Sequence, residues 1–112
     1  MTPMSKPPLL LLLFICGITA AQAQTGDAAA GAQKAWLCSG CHGVPGWRNA
    51  YPVYHVPRLG GQHAEYLVAA LKEYKEKQRA HSTMQAIAAG LSEQDMADLA
   101  AFFSGTAPEP NQ

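Results

Sequence analysis

Cysteine is scarce in this sequence, at three residues: Cys16, Cys38 and Cys41. Strand-like alternation is missing, and no apolar run approaches the roughly 18 residues that a membrane-crossing helix needs. Neither sign of charge dominates. Eight Lys and Arg face eight Asp and Glu, and no net charge results, so there is no field of the kind that marks nucleic-acid binders. Large aliphatic side chains are few beyond the first twenty positions, which leaves a short chain with little from which to build a core.

The start of the chain reads as a leader. Lys6 is followed by an apolar run from Leu9 to Ile18 and by the small-residue site Ala21-Gln22-Ala23, the three parts of a secretory signal peptide. A cut after Ala23 removes Cys16 and Lys6. An acylated Cys16 is the competing reading, disfavoured by the bulky Phe14 and Ile15 before it. About 89 of the 112 residues then remain, which is one domain of a size that buries a limited fraction of its surface. Residues 24–106 are assigned to that domain and 107–112 to a disordered tail.

What is present is Cys38-Ser39-Gly40-Cys41-His42. Two thiols three positions apart with a histidine directly after the second form a c-type haem attachment motif. Each sulfur can add to one porphyrin vinyl group, and His42 is placed to reach the iron as a nitrogen ligand. Other chemistries make demands that the sequence does not meet. A zinc site needs about four N or S ligands, yet His55, His63 and His81 are scattered singly. A thioredoxin-like dithiol needs a βαβ context. A Cys38–Cys41 disulfide would close a loop too short to stabilise much. A covalently held porphyrin also supplies the apolar mass that the chain lacks.

The rest of the chain is helical in pattern. Asp27 is a good N-cap for an Ala-rich segment ending at Cys38. Gly43 to Gly61 is a Pro- and Gly-rich loop that carries Trp47, Tyr51 and Tyr54, suited either to a haem edge or to covering a small core. Gln62 to Gln78 is amphipathic with period 3.6. Its Lys72 to Arg79 cluster is interleaved with Glu73 and Glu76 and reads as a solvated face. A short helical piece from Gln85 to Ala89 stops at Gly90. Ser92 and Asp95 resemble a capping box for a last helix from Glu93 to Phe103.

The second axial ligand decides what such a haem does, because an open position favours ligand binding while a Met sulfur gives an electron carrier. Met84, Met96, His55, His63 and His81 are the candidates. Met96 falls on the apolar stripe of the last helix, where methionine is ordinary filling, and His63 stands at a helix start. Met84 lies in a polar connection and is favoured; His81 is its rival.

Taken together, Pro57-Arg58-Leu59-Gly60-Gly61-Gln62, Tyr66-Leu67, Leu71-Lys72, Tyr74-Lys75, Arg79, Met84 and Leu91-Ser92-Glu93-Gln94-Asp95 with Ala97 to Phe103 resemble a class I c-type cytochrome. The likeness is to small bacterial monohaem cytochromes and to the halves of dihaem ones. It implies an all-α class I cytochrome c fold, with three to four helices around one covalently bound haem c. In that fold Gly31 and Ala35 would meet Leu99 and Phe102 or Phe103. It further implies a Pro57 carbonyl accepting from His42, Cys38 and Cys41 as attachment points, and iron held by His42 and Met84. The expected role is periplasmic one-electron carriage without a catalytic residue, by a monomer or weak dimer with no membrane span. Partners would be redox proteins such as a quinol–cytochrome c reductase, a terminal oxidase or a periplasmic dehydrogenase, and not nucleic acid. The competing class is an enzyme or gas sensor with five-coordinate iron, whose relatives carry the attachment motif near the C-terminus rather than the start. Two departures stand out: Thr83 replaces a common proline, and Tyr51 to Val56, including His55, is outside the shared pattern.

Overall fold

A computed structural model of the chain describes Met1, residues 24–43, Arg48 and residues 55–106. The expected leader and tail lie outside the described residues, as do Trp47 and residues 51–54. Among the described residues five helices follow one another: α1 (Ala28–Lys34), α2 (Trp36–His42), α3 (Ala64–Lys75), α4 (Ser82–Ala89) and α5 (Glu93–Gly105). The pairing of Arg48 with His55 is an isolated antiparallel bridge. The all-α expectation holds.

The Ala-rich segment is two helices rather than one. The Asp27 carboxylate accepts from the backbone N–H groups of Ala29 and Ala30 and starts α1 as expected. At Ala35 the ladder tightens to an i→i−3 bond, with Ala35 N to Ala32 O at 3.4 Å. The Ala35 carbonyl accepts from the Ser39 hydroxyl at 2.9 Å as well as from Ser39 N. Such back-bonding to the i−4 carbonyl bends helices, and α2 continues through the whole attachment motif instead of ending at Cys38.

α5 is the element that α1 and α3 pack on: α1 makes the most extensive contact with it, α3 also lies against it, and α4 packs on α3. Close approach explains the glycines of the first segment. A Cβ on Gly31 would fall 2.0 Å from the Asp98 carbonyl oxygen and 2.8 Å from Phe102 Cβ, and one on Gly26 2.0 Å from the Ala97 oxygen. The crossing therefore presses Gly31 onto Asp98 and Phe102. Ala35 does join Leu99, together with Leu91 and Met96, in the buried cluster, with Cys38, Leu71, Phe102 and Phe103 against it.

Helix ends set the remaining geometry. α5 opens with a full capping box, Ser92 accepting from Asp95 N and Asp95 from Ser92 N. α3 contains its whole apolar stripe but is shorter than the expected Gln62 to Gln78 span, ending where Lys77 turns into the left-handed region at φ 61°. Gln78 N then bonds back to Glu73 O at 2.9 Å and Lys77 N to Tyr74 O at 3.1 Å, closing the helix. α4 begins three residues earlier than the sequence suggests and takes in Met84. Its N-cap is His81, whose Nδ1 accepts from Met84 N at 3.2 Å.

Candidate haem site

One cavity of about 270 Å³ gathers the site-forming side chains. α2 contributes Cys38, Cys41 and His42, the coil after His55 contributes Val56, Pro57 and Leu59, and α4 contributes Thr83, Met84 and Ile87. Leu67, Leu71, Leu99 and Phe103 from α3 and α5 give it an apolar lining. Cys38 and Cys41 stand three apart on a helix and so share a face. Cys38 is half-buried against the core cluster and Cys41 is exposed, both as free thiols.

His42 Nδ1 lies 2.6 Å from the Pro57 carbonyl oxygen. A carbonyl only accepts, so Nδ1 carries the proton and Nε2 keeps its lone pair. Burial lowers the His42 pKa, outweighing the raising effect of the Pro57 bond, and keeps the ring neutral. A neutral imidazole with one nitrogen fixed by a carbonyl is the usual form of a metal-binding histidine. Burial also pushes the Cys38 thiol up, the opposite of what a reactive dithiol requires.

His81 makes the contrasting choice. Its Nδ1 accepts an amide N–H, so in the neutral ring the proton sits on Nε2. The ring also meets Tyr74 edge-on, with centroids 6.3 Å apart. Among the other candidates, Met96 is fully buried in the core cluster and His63 is exposed at the start of α3. His55 borders the cavity and stands 2.7 Å from Arg48 Nη2 through its Nε2. Arg79 is anchored over the Tyr74 ring at 5.2 Å and lies 3.4 Å from the Tyr66 hydroxyl, and all three side chains border the cavity.

The donor set fits a porphyrin: two thiols on one helix face, an imidazole, a thioether, apolar walls and a rim of polar tips. Among the described residues no group of three or more His, Cys, Asp and Glu side chains is arranged to hold a bare metal ion. The sequence pattern of the cytochrome c family matches residues 28–107. The chain belongs to the cytochrome c family.

Haem c, bound covalently and carrying iron, is thus the cofactor of this cytochrome. The chain is 40% identical to cytochrome c4 of Pseudomonas aeruginosa over 86% of its own length, but spans only 46% of that relative. It is 44% identical to cytochrome c-554(548) of Halomonas halodenitrificans over 70% of its length, covering 95% of that protein. The crystal structure of reduced recombinant cytochrome c4 from Pseudomonas stutzeri superposes with a TM-score of 0.55 at 30% identity, over 74% of this chain and 52% of that one. This cytochrome therefore spans about half the length of the cytochrome c4 relatives and nearly all of the Halomonas one.

Two features of the site had no counterpart in the sequence reading. The Arg48–His55 pair joins residues whose spacing matches no standard motif, and the helix cap by His81 uses a residue outside the usual Ser, Thr, Asp and Asn set.

Proposed function

We propose that the chain is a periplasmic one-electron carrier in which Cys38 and Cys41 hold the haem through thioethers and His42 Nε2 and Met84 Sδ are the axial ligands. The bound haem would supply an iron that alternates between ferrous and ferric states. The observation that carries this reading is the His42 Nδ1 to Pro57 O distance of 2.6 Å, which frees Nε2 and orients the ring. Met84 is preferred over His81 because the His81 Nδ1 is committed to the Met84 amide, leaving its other nitrogen protonated and a poor ligand. The helical start at Ser82 gives Met84 a rigid seat, which offsets the missing proline at Thr83.

Export and cleavage after Ala23 would leave intact the bonds that tie Thr25 and Asp27 to α5: Thr25 O accepts from Gln94 Nε2 at 3.1 Å and Asp27 N donates to Asp98 Oδ1 at 2.8 Å. No helix among the described residues is long and apolar enough to cross a membrane. The half-length match to cytochrome c4 supports a single-haem unit that resembles one half of a longer carrier. Partners would be redox proteins of the membrane or periplasm, a quinol–cytochrome c reductase, terminal oxidase or dehydrogenase, met through weak contacts of the small-interface class. The protein would act as a monomer or weak dimer, and no side chain performs acid–base catalysis.

The test is the optical spectrum of the purified ferric protein. A sulfur-to-iron charge-transfer band, with colour that survives an acid–acetone wash, is expected. A high-spin ferric spectrum would replace the carrier with a ligand-binding or catalytic haem.

A further inference from the structure

We propose that the Arg48–His55 pair is a positioning clamp that holds the Pro57 carbonyl against His42, and so governs how strongly His42 donates to the iron. The proposal rests on His42 being the axial nitrogen ligand. Pro57 has no N–H of its own and a fixed φ, and it sits on coil rather than in a helix. Its carbonyl is therefore located by what anchors the chain on either side.

Downstream the anchor is clear. Gly61 N donates to Phe103 O at 2.9 Å, Gln62 N to Leu59 O at 3.2 Å, and the Gln62 amide to Arg58 O. Upstream, the contacts shown among the described residues are the antiparallel bridge of His55 with Arg48 and the bond from Arg48 Nη2 to His55 Nε2 at 2.7 Å. A guanidinium only donates, so His55 Nε2 accepts and the ring is the neutral Nδ1–H tautomer.

Stiffness carries the effect from His55 to Pro57. A residue before proline is held to extended conformations, so Val56 links the two as a short rod with little freedom. Displacing His55 then moves the Pro57 carbonyl instead of being absorbed between them. Because the Nδ1 bond raises the basicity of a ligating imidazole, a looser carbonyl weakens His42 as a donor to ferric iron and raises the reduction potential.

The experiment uses the holoprotein with Arg48→Ala, His55→Ala and His55→Gln. Two quantities are read: the solvent-exchange rate of the His42 Nδ1–H by NMR in the ferrous state, and the reduction potential. In Arg48→Ala and His55→Ala, exchange should quicken three- to tenfold, the factor for losing one intramolecular hydrogen bond, and the potential should rise. His55→Gln keeps an acceptor for Arg48 and should restore both. Arg48 is exposed, so its replacement does not threaten the fold. Unchanged exchange and potential in Arg48→Ala overturn the clamp whatever His55→Ala does. Absence of a haem-shifted His42 resonance in the unmutated protein would instead overturn the ligand assignment on which the clamp depends.

Discussion

Lys34 and Asp98 lie 64 positions apart in the chain, and the Lys34 Nζ stands 2.7 Å from Asp98 Oδ2. The same ammonium lies 2.7 Å from Asp95 Oδ1. Asp98 is almost fully buried and takes further bonds from Asp27 N and from Gln94 Nε2, each at 2.8 Å. A buried carboxylate is tolerated only when its oxygens are satisfied in this way, and no buried side-chain N or O atom among the described residues is left without a partner.

This knot fixes an acid limit. The Asp27 N–H first, then Lys34 and Gln94, hold the Asp98 carboxyl down from 3.8 to about 2. Lys34 first, then the Ser92 backbone and hydroxyl, do the same for Asp95. A depressed carboxyl pKa gives stability that is complete above the ordinary value and lost as pH falls through the folded one. Thermal melts should therefore hold steady above pH 4 as far as these groups are concerned, and drop between 3.8 and about 2. Asp98→Asn should melt lower at neutral pH and show a shallower acid slope, converging on the parent near the bottom of the window.

Glycine substitutions should have opposite signs at two helical sites. Gly31→Ala places a methyl where the Asp98 carbonyl already sits, a forced separation of α1 from α5 costing about 1–3 kcal/mol. Gly40→Ala meets nothing within 4 Å and should gain about 0.5–1 kcal/mol from helix preference alone. Denaturant midpoints of the two variants at matched haem content provide the check.

Two methionines should separate by readout. Met84→Ala should abolish the sulfur-to-iron band, admit carbon monoxide to the ferrous iron and lower the potential, with modest loss of stability. Met96→Ala empties a fully buried position and should cost about 2–5 kcal/mol, while the spectrum stays that of the parent. Retention of the band in Met84→Ala would reassign the ligand.

The end of α3 carries a local cost that can be removed. Lys77 adopts φ 61°, a conformation that costs a residue with a Cβ roughly 1–2 kcal/mol. Lys77→Gly should raise stability by about 0.5–1 kcal/mol, after the extra freedom of glycine in the unfolded chain is counted, with no change in spectrum or potential. Calorimetry on the holoprotein measures it.

What could be read from the sequence was whatever is written in neighbouring residues. Ser92 and Asp95 announce the start of α5 because a capping box is complete within four positions, and the spacing of Leu67, Leu71 and Tyr74 announces α3. The attachment motif is equally local. The bend at Ala35 was hidden because it arises from one Ser39 hydroxyl choosing a backbone carbonyl inside a segment with strong helix preference. Met84 was placed in a connection because histidine rarely caps a helix, so nothing marked Ser82 as a start. The Asp98 knot and the Arg48–His55 pair were invisible for a different reason. Their partners meet only after the chain has folded back, and a buried aspartate looks in sequence like any polar residue on a helix.

The clasp between the first and last helices has a consequence for the integrity of the molecule. Since Gly26, Gly31 and Lys34 seat α1 directly on Ala97 and Asp98, a single hydrolysed peptide bond between His42 and Ala64 would yield two fragments that still embrace one another. Such a nicked protein would travel as one species on gel filtration and fall apart only in detergent. The continuity of the polypeptide in that stretch matters less to its survival than the grip between its two ends.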